Sequence, residues 1–357
     1  MSVIISGIQQ IGIGIPDVEQ AWAWYRKAFG MNIPIFDEAA EANLMLPYTG
    51  GKPHQRRAVL ALNAQGGSGM EIWQYTSRTP QPPAERPLLG DLGISICRMK
   101  AHDVEKAFEG LTHKGIETLS PAPVPGPDAQ NTFFLEDPYG NPFQVTSHTD
   151  WFTHKGLATG GVLGCSIGVS SVDRSLPFYQ EILGYDQVLY DVSGTFEELS
   201  VLPGGADEFR RVLLTHSQPR KGKFSRMLGQ SEIELIQVLN RQPKKIFEGR
   251  FWGDLGYIHL CFDIHGMSEL RELCKEKNYP FTVDSGQSLG KEFDMGEAAG
   301  HFSYIEDPDG TLIEFVEAHK IPIAKKIGWY LDLRKRAPEK PLPNWMLKAL
   351  SLNKVKD

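Results

Sequence analysis

Cysteine is scarce: Cys97, Cys165, Cys261 and Cys274, none of them in a CxxC pair. That spacing excludes a thiolate zinc motif and a disulfide framework, and it predicts reduced, buried thiols in a cytoplasmic protein. No apolar run approaches the length of a membrane span. The opening residues, MSVIISGIQQ, lack the charged-then-apolar pattern of a secretory leader. The sequence therefore predicts no membrane partner. Positive charge is not in excess. Lys plus Arg number 37 against 44 Asp plus Glu, a net charge of −7, and no basic run marks a nucleic-acid surface. What is present is a globular composition, 41% hydrophobic and 23% charged over 357 residues, enough for two domains with cores of their own.

The most informative stretch is HFSYIEDPDGTLIEFVE, His301 to Glu317. Apolar runs flank a Pro-Asp-Gly turn, which predicts two antiparallel strands joined tightly. Pro308 presets one turn dihedral and Gly310 accepts a positive φ. Beyond the turn, the period of two puts Glu314 on the face of Leu312 and Val316. A carboxylate on an apolar face is costly unless it is paired, hydrogen-bonded or bound to a metal. An edge strand with that face in water is the alternative reading. An earlier copy, FFLEDPYGNPFQVTSH from Phe133 to His148, puts Gln144 where Glu314 stands.

The rest of the chain repeats one theme. An alternating strand, IQQIGIGI, leads through the cap Asp17 into the helix DVEQAWAWYRKAFG, closed by Gly30. Strand-like runs follow at Arg57–Leu62 and Met70–Tyr75. A second unit opens with GDLGISICRM at Gly90, has a helix over Asp103–Gly115 and a loop over Ser120–Gly126, and closes with the Phe133–His148 hairpin. A third carries VLGCSIGV at Val162–Val169, a helix from Val172 to Gly184, and the runs FRRVLLTH and SEIELIQV. A fourth repeats GDLG in GDLGYIHLCFDI at Gly253–Ile264, has a helix near Met267–Lys277, and ends in the last hairpin. Pro80–Pro87 and Pro243–Phe251 link the units within each half. Gln10 precedes Gly164 by the same distance that separates Arg57 from Arg211, which aligns QRRAVLAL with FRRVLLTH. Such a repeat predicts a tandem duplication. The expected fold is α+β, with four βαβββ units forming two eight-stranded open cradles. The halves are residues 1–150 and 158–320, and 321–357 is a basic C-terminal tail. In that tail, WMLKAL near Trp345 is expected as a short amphipathic helix over the core and not as a membrane anchor.

Four such units, with IGIGIPDVEQAWAWY and EDPDGTLIEF in these places, resemble the vicinal-oxygen-chelate superfamily over about residues 5–320. That superfamily includes glyoxalase I, methylmalonyl-CoA epimerase, extradiol dioxygenases and bleomycin-resistance proteins. The resemblance implies that units pair into cradles, with metal ligands on the first and last strands of each unit. Those positions hold Gln10 and Glu71, then Ile96 and Gln144, then Gly164 and Glu234, then His259 and Glu314. If neighbouring units pair, the sets are Gln10/Glu71/Ile96/Gln144 and Gly164/Glu234/His259/Glu314, each short of ligands. If unit one pairs with unit four, Gln10, Glu71, His259 and Glu314 form one set, which resembles the Gln-Glu-His-Glu set of glyoxalase I. The remainder, Ile96, Gln144, Gly164 and Glu234, is then degenerate. The swapped arrangement is preferred because it gathers the good ligands. The neighbour arrangement is that of ring-cleaving dioxygenases, which would require a His where Gly164 stands.

One imidazole, two carboxylates and an amide oxygen suit one divalent ion, with Mn, Fe, Co, Ni and Zn all open. The resemblance implies a Lewis acid holding adjacent oxygens of a small-molecule substrate. It also implies proton abstraction next to a carbonyl with Glu71 or Glu314 as base, which is lyase, isomerase or epimerase chemistry. A ring-cleaving dioxygenase and a metal-free binding protein of the bleomycin-resistance kind are the alternatives. The glutathione anchors of glyoxalase I are missing, because Gly14 and Tyr75 stand where its Arg and Asn would be. Arg56, Arg57, Arg210 and Arg211 are candidates to meet an anionic substrate, with one of each pair expected on a solvated face. His301 is either a cradle residue or a surface one.

Overall fold

The computed structural model describes residues 3–289, 293–294, 299–324 and 328–355. Of the tail, residues 325–327, 356 and 357 lie outside the described residues. The first unit is β1 (Ile4–Gly14), α1 (Val18–Phe29), β2 (Met31–Glu41), β3 (Gln55–Asn63) and β4 (Gly69–Tyr75). The second is β5 (Gly93–Ala101), α2 (Val104–His113), β6 (Val124–Pro125), β7 (Asn131–Glu136) and β8 (Pro142–Ser147). The third is β9 (Thr159–Gly168), α3 (Val172–Glu181), β10 (Gln187–Gly194), β11 (Phe209–Thr215), α4 (Ser225–Leu228) and β12 (Glu232–Val238). The fourth has β13 (Gly256–His265), α5 (Met267–Glu276), β14 (Val283–Asp284), α6 (Ser285–Leu289), β15 (Phe293–Asp294), β16 (Ala299–Glu306) and β17 (Leu312–Ala324). Strand β18 (Trp329–Asp332) and helix α7 (Asn344–Ala349) follow.

Local chemistry sets these elements. Asp17 caps α1 by accepting from the Gln20 amide, and Gly30 ends the helix in the left-handed region at φ 63°. The apolar face of α1, including Tyr25 and Phe29, is buried. The Asp of each Pro-Asp-Gly or Pro-Tyr-Gly turn region fixes that turn. Asp137 Oδ1 accepts from the amides of Tyr139 and Asn141, and Asp307 Oδ1 from those of Asp309 and Thr311. The second oxygen takes a tyrosine hydroxyl from a helix of the preceding unit, Tyr25 on Asp137 at 2.6 Å and Tyr179 on Asp307 at 2.8 Å. The same bond therefore ties unit one to unit two and unit three to unit four.

Backbone pairing follows a different plan. One sheet runs β14-β16-β17-β13-β1-β4-β3-β2, with β15 on β16 and β18 on β17. The other runs β10-β11-β12-β9-β5-β8-β7-β6. Units one and four thus share a sheet through β1 and β13, and units two and three share one through β9 and β5. The swapped arrangement holds. Strand β17 lies between β16 and β13, so the edge-strand reading of Glu314 fails. Helices from all four units meet in one core between the sheets, where Phe143 contacts Phe29 at 4.9 Å and Tyr257 at 5.9 Å between ring centres. In α7, Met346 and Leu347 are buried while Trp345 faces outward, as the tail's pattern implied.

One alignment of the halves needs correcting. Arg57 pairs with Asp37 and Glu19, and its counterpart in the third unit is Arg210, which pairs with Asp191 and Asp173 in the same way. Arg211 is not the equivalent of Arg57. The third unit has one residue fewer between its second and third strands, since Arg57 and Asp37 are 20 apart and Arg210 and Asp191 are 19 apart.

Candidate metal centre

Cross-strand register builds the site. Gly12 on β1 faces His259 on β13, and parallel pairing sets Gly12 beside Glu71 on β4. On the other flank β17 pairs with β13, placing Glu314 beside Cys261. The His259 ring then projects over Gly12, where a Cβ would lie 2.5 Å from Nε2. Only glycine leaves that space.

Glu71, His259 and Glu314 come together with one ligand atom from each lying within 4.8 Å of the others. His259 Nε2 is 3.1 Å from Glu71 Oε2 and 3.2 Å from Glu314 Oε2. Neither contact has hydrogen-bond geometry, because His259 Nε2 and Glu314 Oε2 are both buried without a hydrogen-bond partner. Gln10 lies beside them on β1. Its Nε2 donates to Glu71 Oε2 at 3.2 Å, and its buried Oε1 has no partner. Converging acceptors that do not bond one another are the arrangement a cation completes, and the donor set of one imidazole, two carboxylates and an amide oxygen fits a divalent metal.

The electrostatics agree. Burial pushes the Glu314 carboxyl upward; His259 opposes that and the Glu71 charge adds to it, leaving it raised. Burial also works against the charge on Glu71, but His259, Arg56 and Gln10 outweigh it and hold Glu71 below its ordinary range. For His259, burial favours the neutral ring, and the Glu314 and Glu71 charges overcome it and raise its pKa. The Tyr304 hydroxyl lies 3.5 Å from Nδ1 of the same ring.

The centre opens into a mostly apolar cavity of about 170 Å³. Its walls include Phe36, Trp73, Trp252, Phe302 and Tyr304, with Arg56 and His301 also on the lining. Of the four candidate arginines, only Arg56 is here; its Nη1 donates to the Glu38 carbonyl at 3.0 Å. Arg57 and Arg210 are held by carboxylates outside the cavity. Gly14 and Tyr75 offer no anchor for glutathione. A Cβ on Gly14 would lie 2.0 Å from the Asp254 carbonyl oxygen, and the Tyr75 hydroxyl donates to the Trp252 carbonyl.

In the other sheet Ile96 and Gly164 offer no ligand side chain, and arginines meet the remaining polar groups. Arg98 Nη1 donates to Gln144 Oε1 at 2.8 Å. Arg211 lies 2.7 Å from Glu234, which also accepts from Ser166 and Tyr190 at 2.6 Å each. Sequence reading missed Arg98, and it missed Trp73, Trp252 and Tyr304 as cavity walls. Two of these carried a signal. Trp73 shares a strand face with Glu71, and Tyr304 pairs directly with Glu314 across the last hairpin. Trp252 sits next to a linker and carried none.

The family model for the Glyoxalase/Bleomycin resistance protein/Dioxygenase superfamily matches residues 7–145 and 161–315. Among solved structures, glyoxalase I from Zea mays is similar at 12% identity, covering 88% of this chain and 92% of that one with a TM-score of 0.54. A putative dioxygenase from Bacillus subtilis subsp. subtilis str. 168 is similar at 13% identity, covering 88% of this chain and 86% of that one with a TM-score of 0.53. A search of curated proteins finds no match. No described helix is long and apolar enough to cross a membrane.

Proposed function

The chain belongs to the Glyoxalase/Bleomycin resistance protein/Dioxygenase superfamily, and we propose that it is a metal-dependent lyase or isomerase that moves a proton next to a carbonyl. The observation that carries this reading is the cluster of Glu71, His259 and Glu314 at the foot of an apolar cavity. With Gln10 these residues would hold one divalent ion. When bound, it would supply Lewis acidity to adjacent oxygens of a small substrate.

The chain's own residues do the rest. The aromatic walls exclude water and favour an apolar substrate body. Glu314, which lies on the cavity lining with its Oε2 held by no hydrogen bond, takes up the proton. Glu71, held anionic by His259 and Arg56, remains a charge partner. Arg56 orients an anionic or carbonyl oxygen of the substrate. The surrounding architecture is a tandem duplication of residues 1–150 and 158–320 with a tail at 321–357, and the four buried free thiols support a cytoplasmic setting.

The test is deuterium exchange from D₂O into a panel of α-hydroxyketones and 2-hydroxyacids, followed by NMR. Exchange at the carbon beside the carbonyl should require added metal and fall at least a hundredfold in Glu314→Gln, in line with the loss expected for a general base. Oxygen consumption with a catechol, and no exchange with any member of the panel, would replace this reading by dioxygenase chemistry.

A further inference from the structure

Charge is not spread evenly along the chain. Residues 321–357 carry nine Lys and Arg against three Asp and Glu, a net charge of +6, while residues 1–320 carry 28 against 41, a net of −13. The structure docks this basic segment on the first sheet. Strand β18 pairs with β17. Helix α7 and the 3₁₀ turn that continues it, Leu350–Asn353, bury Met346, Leu347 and Leu350 in one apolar cluster with Ile33, Ile321 and Ile323. The Val355 amide donates to the Asn32 carbonyl at 2.9 Å and fastens the far end. The inner face of the segment is thus fixed, and its outer face is presented in one place.

That outer face is apolar at its centre. Trp345 and Leu352, each 60% exposed, are the most exposed large hydrophobic side chains among the described residues. Two helical turns separate them, so they share one face about 10 Å long. Lys348 stands between them on that face. Trp329 of β18 stacks on Trp345, 20° from parallel with ring centres 6.0 Å apart. Cations frame the patch. Arg226 of α4 donates to Asn344 Oδ1 at 3.2 Å, beside Trp345, and Lys354 follows Leu352 at the other end. Arg226, Lys348 and Lys354 are exposed and make no ion pair among the described residues.

We propose that this face docks on an anionic lipid surface. The indole and the leucine enter the headgroup boundary, and the three cations meet the lipid anions around them. The contact lies in the plane of the interface and is not an anchor, because α7 is six residues long and buries its other side in protein. Repulsion from the net −13 of residues 1–320 is screened beyond about 8 Å at physiological ionic strength. The apolar centre favours lipid over nucleic acid, since a phosphate backbone would leave Leu352 in water. A second copy meeting the face symmetrically would set Lys348 and Arg226 against their own counterparts.

The probe is sucrose-loaded vesicles of equal parts phosphatidylcholine and phosphatidylglycerol, sedimented with the full-length protein, with pure phosphatidylcholine vesicles as the control. The protein should sediment with the anionic vesicles in preference to the neutral ones and be released by salt at about 0.5 M. Trp345→Ser combined with Leu352→Ser should weaken the partition about tenfold or more, the effect of withdrawing a large apolar side chain. Lys348→Glu should weaken it about five- to thirtyfold. All three positions are exposed, so thermal unfolding of the variants should match the parent. The proposal is overturned by no sedimentation with anionic vesicles, by equal sedimentation with neutral ones, or by sedimentation that the double variant leaves intact. Tighter binding to duplex DNA than to the vesicles, or a dimer that the double variant dissolves, would give the face to another partner and overturn it equally.

Discussion

Arg98 lies 3.5 Å from Glu234, both side chains buried, at the point in the second sheet where the first sheet gathers its acidic ligands. Across β5 and β9, Arg98 faces Gly164, as Cys261 faces Gln10 across β13 and β1. There the guanidinium supplies the positive charge that compensates the buried carboxylate. Removing one partner of a buried pair leaves the other uncompensated, which costs about 3–5 kcal/mol. Glu234→Gln should lose stability of that order in urea denaturation and keep its metal. Loss of metal with stability unchanged would place an ion in the second sheet instead.

The same carboxylate predicts a pH dependence. Burial works against its charge, but Arg211 and Arg98, with Ser166 and Tyr190, hold its pKa down at about 2. The unfolded chain returns it to about 4.3. The folded value is the lower one, so Glu234 contributes stability that is present above the unfolded value and lost as pH falls through the folded one. Thermal unfolding across this range should show the parent protein losing stability more steeply than Glu234→Gln. Parallel curves would refute the assignment.

Metal content tests the first sheet. Elemental analysis of protein purified without chelator should give one divalent ion per chain. His259→Ala and Glu71→Ala should lose it, because each removes a ligand and leaves charge uncompensated. Glu234→Ala should not. Two ions per chain, or retention in Glu71→Ala, would contradict the proposed ligand set.

Gly12 offers a test that alters no ligand. Its hydrogen stands where a Cβ would lie 2.5 Å from the His259 ring. Gly12→Ala should displace that ring and weaken metal binding about 10- to 100-fold, as loss of ligand support does elsewhere. Overpacking should cost about 1–3 kcal/mol in the same variant. Unaltered metal affinity would mean that His259 does not bind from its present position.

The sequence by itself determined the local structure and the positions that matter. The cap at Asp17, the two Pro-x-Gly turns and the repeated GDLG are short-range patterns, and short-range sterics and hydrogen bonds form them wherever they occur. Offsets from those patterns located Gln10, Glu71, His259 and Glu314, together with their degenerate counterparts. The tertiary structure alone decided which strand edges meet. The first strands of all four units expose the same backbone donors and acceptors, so pairing β1 with β13 instead of β5 is set by long-range packing, including Phe143 between Phe29 and Tyr257. Local sequence could not reveal that Arg98 and Arg211 converge on Glu234, because they come from different units. Nor could it bring Trp252 to His259, because a linker's course depends on the surfaces it crosses. The one-residue error in aligning Arg57 has the same origin. Strand register is fixed by the partner strand, and a loop one residue shorter is absorbed before β11 begins.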